Sequence, residues 1–269
     1  MFSLDAFANS KKDKNGKKAK KSTLKYMEGS YEGDIVNGEK YGYGIVRYKD
    51  GTSYEGNWEA DKKEGFGKAT YVDGSFYEGN WVNDKRHGSG VYTFKNGDRY
   101  EGEFYQNTMH GNGKYYFTSG NIYTGSFNDN EITGHGTITY SNSETYEGSV
   151  LKGKKHGKGI YHFLDGKVYD GVFVIDKRTG FGKLSYPNGD QYSGNFVNGA
   201  KTGKGTFYWK TGEVYNGYFE DGKMHGFGVF VWPNGDQITG DWVNNQPGRD
   251  SKMVKSEDVI KIPSQVVKN

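Results

Sequence analysis

Four histidines, His87, His110, His156 and His225, stand at one position of a 23-residue register, and a metal centre or a general base is the first chemistry such a set suggests. Equivalent positions in neighbouring repeats would lie two strands apart, about 10 Å, whereas a zinc–imidazole bond is about 2 Å long. Rings so far apart do not converge on one ion, and the histidines read as packing at a turn. A second row, Glu32, Glu55, Glu78, Glu101, Glu147 and Asp170, resembles a source of paired carboxylates for acid/base work. Nothing in the pattern encloses these groups, so they read as a charged ladder that keeps a sheet soluble. G-x-G recurs in every repeat, but a phosphate-cradling loop needs a helix after it, and here another strand pattern follows. Neither G-x-x-x-x-G-K-[ST] nor G-x-S-x-G occurs. The expectation is a protein with no catalytic residue, no cofactor and no metal site.

These residues recur because the chain repeats itself. Stepping by 23 from Tyr77 reaches Tyr31, Tyr54, Tyr100, Tyr123, Tyr146, Tyr169, Tyr192 and Tyr215, then Ile238, with no insertion. With the tyrosine as position 1, glycine holds positions 3, 12 and 14 (Gly79, Gly88 and Gly90 in the repeat from Tyr77), so most of the 43 glycines are positional. Positions 1, 3 and 5 alternate as one strand face, and positions 12, 14, 16 and 18 do the same on a second strand. One repeat therefore reads as one β-hairpin. A two-residue turn at positions 8 and 9 would set position 5 opposite the glycine at 12 and Gly at 3 opposite Gly at 14, so that each large ring lies over a residue without a side chain. The links between repeats carry Asp-Gly or Asn-Gly at positions 20 and 21, and only a three-residue bulged loop there keeps the aromatic residues on one face.

The motif Y-E-G-x-W-x-x-x-x-x-x-G-x-G resembles the MORN (membrane occupation and recognition nexus) repeat, from Tyr31 to about Val243, as nine full units and the start of a tenth. The resemblance implies a modular scaffold, similar to axonemal, radial-spoke and cytoskeletal MORN proteins. Some relatives place such arrays before kinase or methyltransferase domains, and here repeats occupy nearly the whole chain.

The expected fold class is all-β: an elongated single antiparallel sheet of consecutive 23-residue β-hairpin repeats, on the order of 90 Å long and about 20 Å wide. Residues 1–22 are expected to be a basic, disordered arm, with seven lysines between Lys11 and Lys21; residues 23–246 form the array, and 247–269 a tail that is mobile or folds back as a cap. There is no cysteine and no apolar run long enough for a membrane span, which points to a cytoplasmic protein. Net charge +3 gives no argument for nucleic acid.

Two surfaces are candidates for binding. The first is an aromatic–glycine groove formed by Tyr54, Trp58, Tyr71, Tyr77, Trp81, Phe94, Tyr100, Phe104 and Phe117, and by Tyr192, Phe196, Trp209, Tyr215, Phe219 and Trp232. Such a surface suits an extended or helical segment of another protein, and the resemblance implies assembly subunits of a ciliary axoneme or cortical cytoskeleton. The second is a basic margin of first-turn residues, Lys62, Lys63, Lys85, Arg86, Lys154, Lys155, Lys177 and Arg178, which together with the basic arm at residues 11–21 suits an anionic phospholipid surface and a place at the membrane periphery. An open ribbon also allows homo-oligomers.

Overall fold

A computed structural model describes residue 16 and residues 18–258. The segment Met1–Ser10, most of the lysine-rich arm and the V-I-K-I-P stretch from Val259 lie outside the described residues. Contacts divide the chain into two units, Met1–Ser141 and Asn142–Asn269. Both are all-β, and within each unit consecutive strands pair antiparallel. The one helical element among the described residues is a 3-10 turn at Ser256–Asp258.

The first unit opens with a lead-in strand, Lys20–Tyr26, on the edge of Gly29–Val36, which begins the first of five hairpins. The lead-in strand starts at Lys20 and takes in the last three residues of the expected arm, and its lysines mark the edge with charge, a known guard against edge pairing. The second unit contains four hairpins from Thr145 to Val231, followed by the strand Gln237–Val243. Two short strands, Gln246–Pro247 and Lys252–Val254, fold back onto that last strand and cover its edge. The described part of the tail is therefore a cap.

The repeat at 77–99 shows the register. Phe76–Val82 pairs with Lys85–Thr93, setting Tyr77 opposite Tyr92 and Gly79 opposite Gly90. The turn falls at positions 7 and 8, not at 8 and 9: Asn83 has φ 48° and Asp84 φ 64°. Two successive positive φ values give the turn whose twist matches that of the strands. Position 5 then faces position 10, Trp81 opposite Arg86, and a bulge on the second strand absorbs the offset. Gly88 at position 12 sits in that bulge with φ 66°, which is why glycine is needed there. Trp81 does face a position-12 glycine, but it is Gly65 of the preceding repeat.

The links are bulged, as the alternation requires. Tyr71 donates to the Ser75 carbonyl and Gly74 to the Tyr71 carbonyl, each at 2.9 Å, with Gly74 at φ 85°. Position 1 of the next repeat then meets position 16, Tyr77 opposite Ala69, and every tyrosine stays on the same face within its unit. In the link after the fifth repeat Ser143 replaces glycine and takes φ 72°. A side chain in that left-handed region costs about 1–2 kcal/mol, and glycine returns part of the gain as chain entropy. Ser143→Gly is expected to raise stability by about 0.5–1 kcal/mol, read as a higher denaturant midpoint.

Positions 3 and 14 need glycine for space. A Cβ at Gly79 would lie 2.5 Å from the Gly90 Cα, and one at Gly90 only 2.4 Å from Cε2 of Tyr77. The tyrosine ring lies down across this glycine pair and its hydroxyl donates to the Asn80 carbonyl at 2.9 Å. The same Tyr–Gly–Gly contact recurs in each repeat through Tyr215, Gly217 and Gly228. The position-1 tyrosines are 0–1% exposed. They, with the position-5 rings, are the core of a structure that has only one layer.

Candidate partner-binding surface

Positions 1 and 16 face each other across a hairpin, as do 5 and 10, so all four project from one face of the sheet. In the first unit each position-5 ring meets the tyrosine of its own repeat and that of the repeat before it edge-on: Trp81 lies 5.1 Å from Tyr77 and 5.4 Å from Tyr54, at interplanar angles of 84° and 88°. In the second unit Phe196 does the same with Tyr192 and Tyr169. Edge-to-face pairs contribute about 0.5–1.5 kcal/mol beyond their buried area, so one ring joins two repeats. Burial pushes the hydroxyl of Tyr215 up to about 12 and those of Tyr31, Tyr54, Tyr77, Tyr100 and Tyr192 further in the same direction.

A second aromatic row, less buried, runs beside the first. Position 16 supplies Tyr92, Tyr115, Phe207 and Phe230; position 18 supplies Tyr71, Phe94, Phe117, Trp209 and Trp232, all half-buried. Tyr92 and Phe94 lie 4.6 Å apart, and Phe207 and Trp209 4.5 Å apart. The predicted groove residues therefore separate into two sets. Tyr54, Trp58, Tyr77, Trp81, Tyr100, Phe104, Tyr192, Phe196, Tyr215 and Phe219 are core, at most 6% exposed. Tyr71, Phe94, Phe117, Trp209 and Trp232 remain accessible to a partner. The position-16 rings were absent from the predicted set. Their signal was the same alternation that placed positions 14 and 18 on the aromatic face.

The predicted basic margin separates as well. Position 9 (Lys62, Lys85, Lys154, Lys177) is exposed at the hairpin end, and Lys154 reaches Asp176 at 3.3 Å. Position 10 (Lys63, Arg86, Lys155, Arg178) folds over the aromatic face because it is paired with position 5. Lys63 Nζ stands 4.9 Å from the Trp81 ring, and the Arg86 guanidinium 4.8 Å from Tyr92. Burial holds Lys63, Arg178 and Lys201 below their ordinary values. The accessible aromatic row is thus bordered by cations that already stack on rings, and each stacking adds about 0.5–2 kcal/mol.

The hairpin ends and links hold the repeats in register. The position-8 side chain accepts the position-10 N–H of the preceding repeat: Asp84 Oδ1 from Lys63 N and Asn107 Oδ1 from Arg86 N, each at 2.9 Å. At the other margin, Asp98 is 8% exposed and accepts from Thr118 N at 2.8 Å, Tyr115 Oη at 3.0 Å and Asn96 Nδ2 at 2.9 Å. The acidic margin is a set of turn caps. Desolvation pushes the Asp98 carboxyl up, but the hydrogen bonds from Thr118, Asn96 and Tyr115 outweigh it and leave it below the usual range. The N–H groups of Thr52 and Ser256 lower Asp50 and Asp236, and the Ser75 hydroxyl lowers Asp73. A carboxyl lower in the folded state than in the unfolded chain contributes stability above its unfolded value, near 3.8 for Asp, and loses it as pH falls through the folded value. Melting midpoints are expected to hold from neutral pH to about pH 4.5 and to fall below about pH 4. Asp98→Ala, which leaves the Thr118 N–H unpaired, is expected to cost about 2 kcal/mol at neutral pH in denaturant unfolding.

Two of the four histidines pack against a ring, and a third pairs with a carboxylate. The Tyr105 ring stands between His87, at 5.3 Å, and His110, at 5.8 Å, while His225 Nε2 lies 3.2 Å from Glu220 Oε2. Among the described residues there is no group of three His, Cys, Asp or Glu side chains fit to hold a metal ion, and no helix long and apolar enough to cross a membrane.

Paired glycines under tyrosine, hairpins of fixed length and an aromatic face in each unit define a class of repeat proteins built from hairpins in series. Within that class the chain belongs to the MORN-repeat family: the MORN repeat matches nine consecutive segments, 31–53, 54–76, 77–99, 100–122, 123–145, 146–168, 169–191, 192–214 and 215–237. Among solved structures, the chain is similar to the TCP10 domain of Danio rerio CPAP in complex with a peptide of Danio rerio STIL, at 14% identity over 81% of this chain and 98% of that one, with a TM-score of 0.48. It is also similar to the SAS-4 (dCPAP) TCP domain in complex with a proline-rich motif of Ana2 (dSTIL) of Drosophila melanogaster, at 14% identity over 74% and 90%, with a TM-score of 0.32. No curated protein matches the chain.

Proposed function

We propose that the protein is a non-catalytic scaffold that holds an extended segment of a partner protein along the accessible aromatic row, as a structural component of a ciliary axoneme, such as a radial spoke, or of the cortical cytoskeleton. The observation that carries this reading is the row itself. Phe94 and Phe117 in the first unit, and Trp209 and Trp232 in the second, are half-buried rings one repeat apart within each unit, bordered by the cations of position 10. Rings of this type supply most of the binding energy where a chain is gripped by its side chains. The test is purification from ciliated cells of the wild-type chain and of a Trp209→Ser/Trp232→Ser variant. The reading expects axonemal or cytoskeletal proteins that are retained by the first and lost by the second; the same set with both would defeat it.

A second reading, an anionic-phospholipid adaptor, rests on the exposed position-9 lysines Lys62, Lys85, Lys154 and Lys177. Flotation with phosphatidylserine vesicles separates the two, because salt-sensitive binding lost on charge reversal of these four residues favours the lipid.

A further inference from the structure

In the second unit the accessible row advances one ring per repeat through Phe163, Tyr186, Trp209 and Trp232, all half-buried. One repeat is two strands, a step of about 9.6 Å. The position-16 rings fill the gaps toward the end of the row: Phe207 lies 4.5 Å from Trp209, and Phe230 lies 5.2 Å from Trp209 and 4.9 Å from Trp232. The core indoles Trp81 and Trp242 donate to the Gly67 and Gly228 carbonyls, but the indole N–H groups of Trp209 and Trp232 have no acceptor among the described residues. A ligand on this row meets rings at one fixed step, with free N–H donors on two of them.

The two sides of the row differ in charge. On the link side, Asp190 and Asp236 accept the N–H groups of Lys210 and Ser256, and Glu213 accepts the Thr211 hydroxyl, so these carboxylates are engaged in their own links. On the hairpin side, Arg178 lies 5.4 Å from the Phe163 ring and Lys201 lies 5.0 Å from Phe207, and neither has a carboxylate partner among the described residues. Carboxylates of a partner are complemented on the hairpin side. A polyproline II helix turns once in three residues, about 9.3 Å, and its carbonyls make no internal hydrogen bond. A strand would turn every third side chain away from the rings, and an α-helix would bring carbonyls already bonded within itself.

We infer that the second unit binds an acidic proline-rich segment in the polyproline II conformation. One proline of each turn lies on a ring of the row, segment carbonyls accept from Trp209 and Trp232, and one carboxylate per turn faces Arg178 and Lys201. This inference rests on the scaffold reading, whose partner it specifies by chemistry.

Calorimetric titration of the full chain with twelve-residue peptides tests it. The probes are Pro-Glu-Ala triplets and Pro-Ala-Glu triplets, which cover both chain directions, Pro-Lys-Ala triplets, and a shuffled acidic peptide without the three-residue period. One of the two periodic acidic peptides is expected to bind at least about tenfold more tightly than the lysine and shuffled peptides, and less tightly as salt rises. Trp232→Phe, which keeps a ring and loses the N–H, is expected to weaken that binding about two- to tenfold. Lys201→Met, which keeps the apolar stem and loses the charge, should weaken it and reduce its salt dependence. Circular-dichroism melts check that both variants keep the fold. No binding of either periodic acidic peptide, binding equal to that of the shuffled peptide, or binding that neither substitution changes would overturn the inference. The scaffold reading is judged separately: partners from ciliated cells that depend on Trp209 and Trp232 but lack this proline pattern would leave it standing and overturn only the inference.

Discussion

Gly90→Ala is expected to unfold the third repeat, with a loss of about 3 kcal/mol or more in denaturant unfolding. The new methyl would stand 2.4–2.6 Å from three atoms of the Tyr77 side chain. That ring cannot move aside easily: it is fully buried, tied to the Asn80 carbonyl, and wedged edge-on against Trp81 and Phe104. Gly180 is the control, since its Cβ would meet no atom within 4 Å although its φ is 69°. Gly180→Ala should cost only the backbone strain, about 1–2 kcal/mol. Tyr77→Ala combined with Gly90→Ala should cost less than the sum of the two, because removing the ring removes the clash. Equal effects at Gly90 and Gly180 would mean that conformational freedom, and not space under the ring, sets the need for glycine at position 14.

Trp81→Ala is expected to cost about 3–5 kcal/mol. The indole is 2% exposed, packs edge-on against tyrosines of two repeats, donates its N–H to the Gly67 carbonyl at 3.1 Å, and lies under the Lys63 ammonium. Because the ring spans two repeats, hydrogen exchange should speed up in both the second and the third, as nearest-neighbour coupling in a repeat array requires. Trp81→Phe should be far milder, about 1 kcal/mol for the lost hydrogen bond, since phenylalanine holds this position in Phe104, Phe127, Phe173 and Phe196. Loss confined to the third repeat would show that the ring does not couple its neighbours.

The division of the aromatic residues into core and surface bears on how partner binding is probed. Substitutions at Trp58 or Trp81 test the fold first and binding second. Substitutions at Phe94, Phe117, Trp209 or Trp232 test the half-buried row with less harm to the core, since none of them is among the fully buried rings. The cations of positions 9 and 10 differ in the same way: reversing Lys62 or Lys85 changes the charge of a hairpin end, while reversing Lys63 or Arg86 also removes a cation stacked on core rings.

The linear sequence by itself determined the hairpin unit, the shared aromatic face, the glycine slots and the bulged links, because each follows from a short-range rule. Alternation along a strand is strictly two-fold, and a Tyr-x-Gly spacing with a second glycine at position 14 closes only when the two glycines face each other, as Gly79 and Gly90 do. Tertiary structure decided three things that spacing could not. It moved the first turn to Asn83-Asp84 by placing a bulge at Gly88, since a bulge changes register without changing the count of residues. It separated neighbouring cations such as Lys62 and Lys63 into solvent and ring-stacked positions, because residues that follow one another on a strand point to opposite faces. It also chose which rings are core. Tyr77 and Trp81 touch the rings of neighbouring repeats and are sealed by them, whereas Phe94 sits at the start of a link, where the chain leaves the sheet and nothing covers the ring fully.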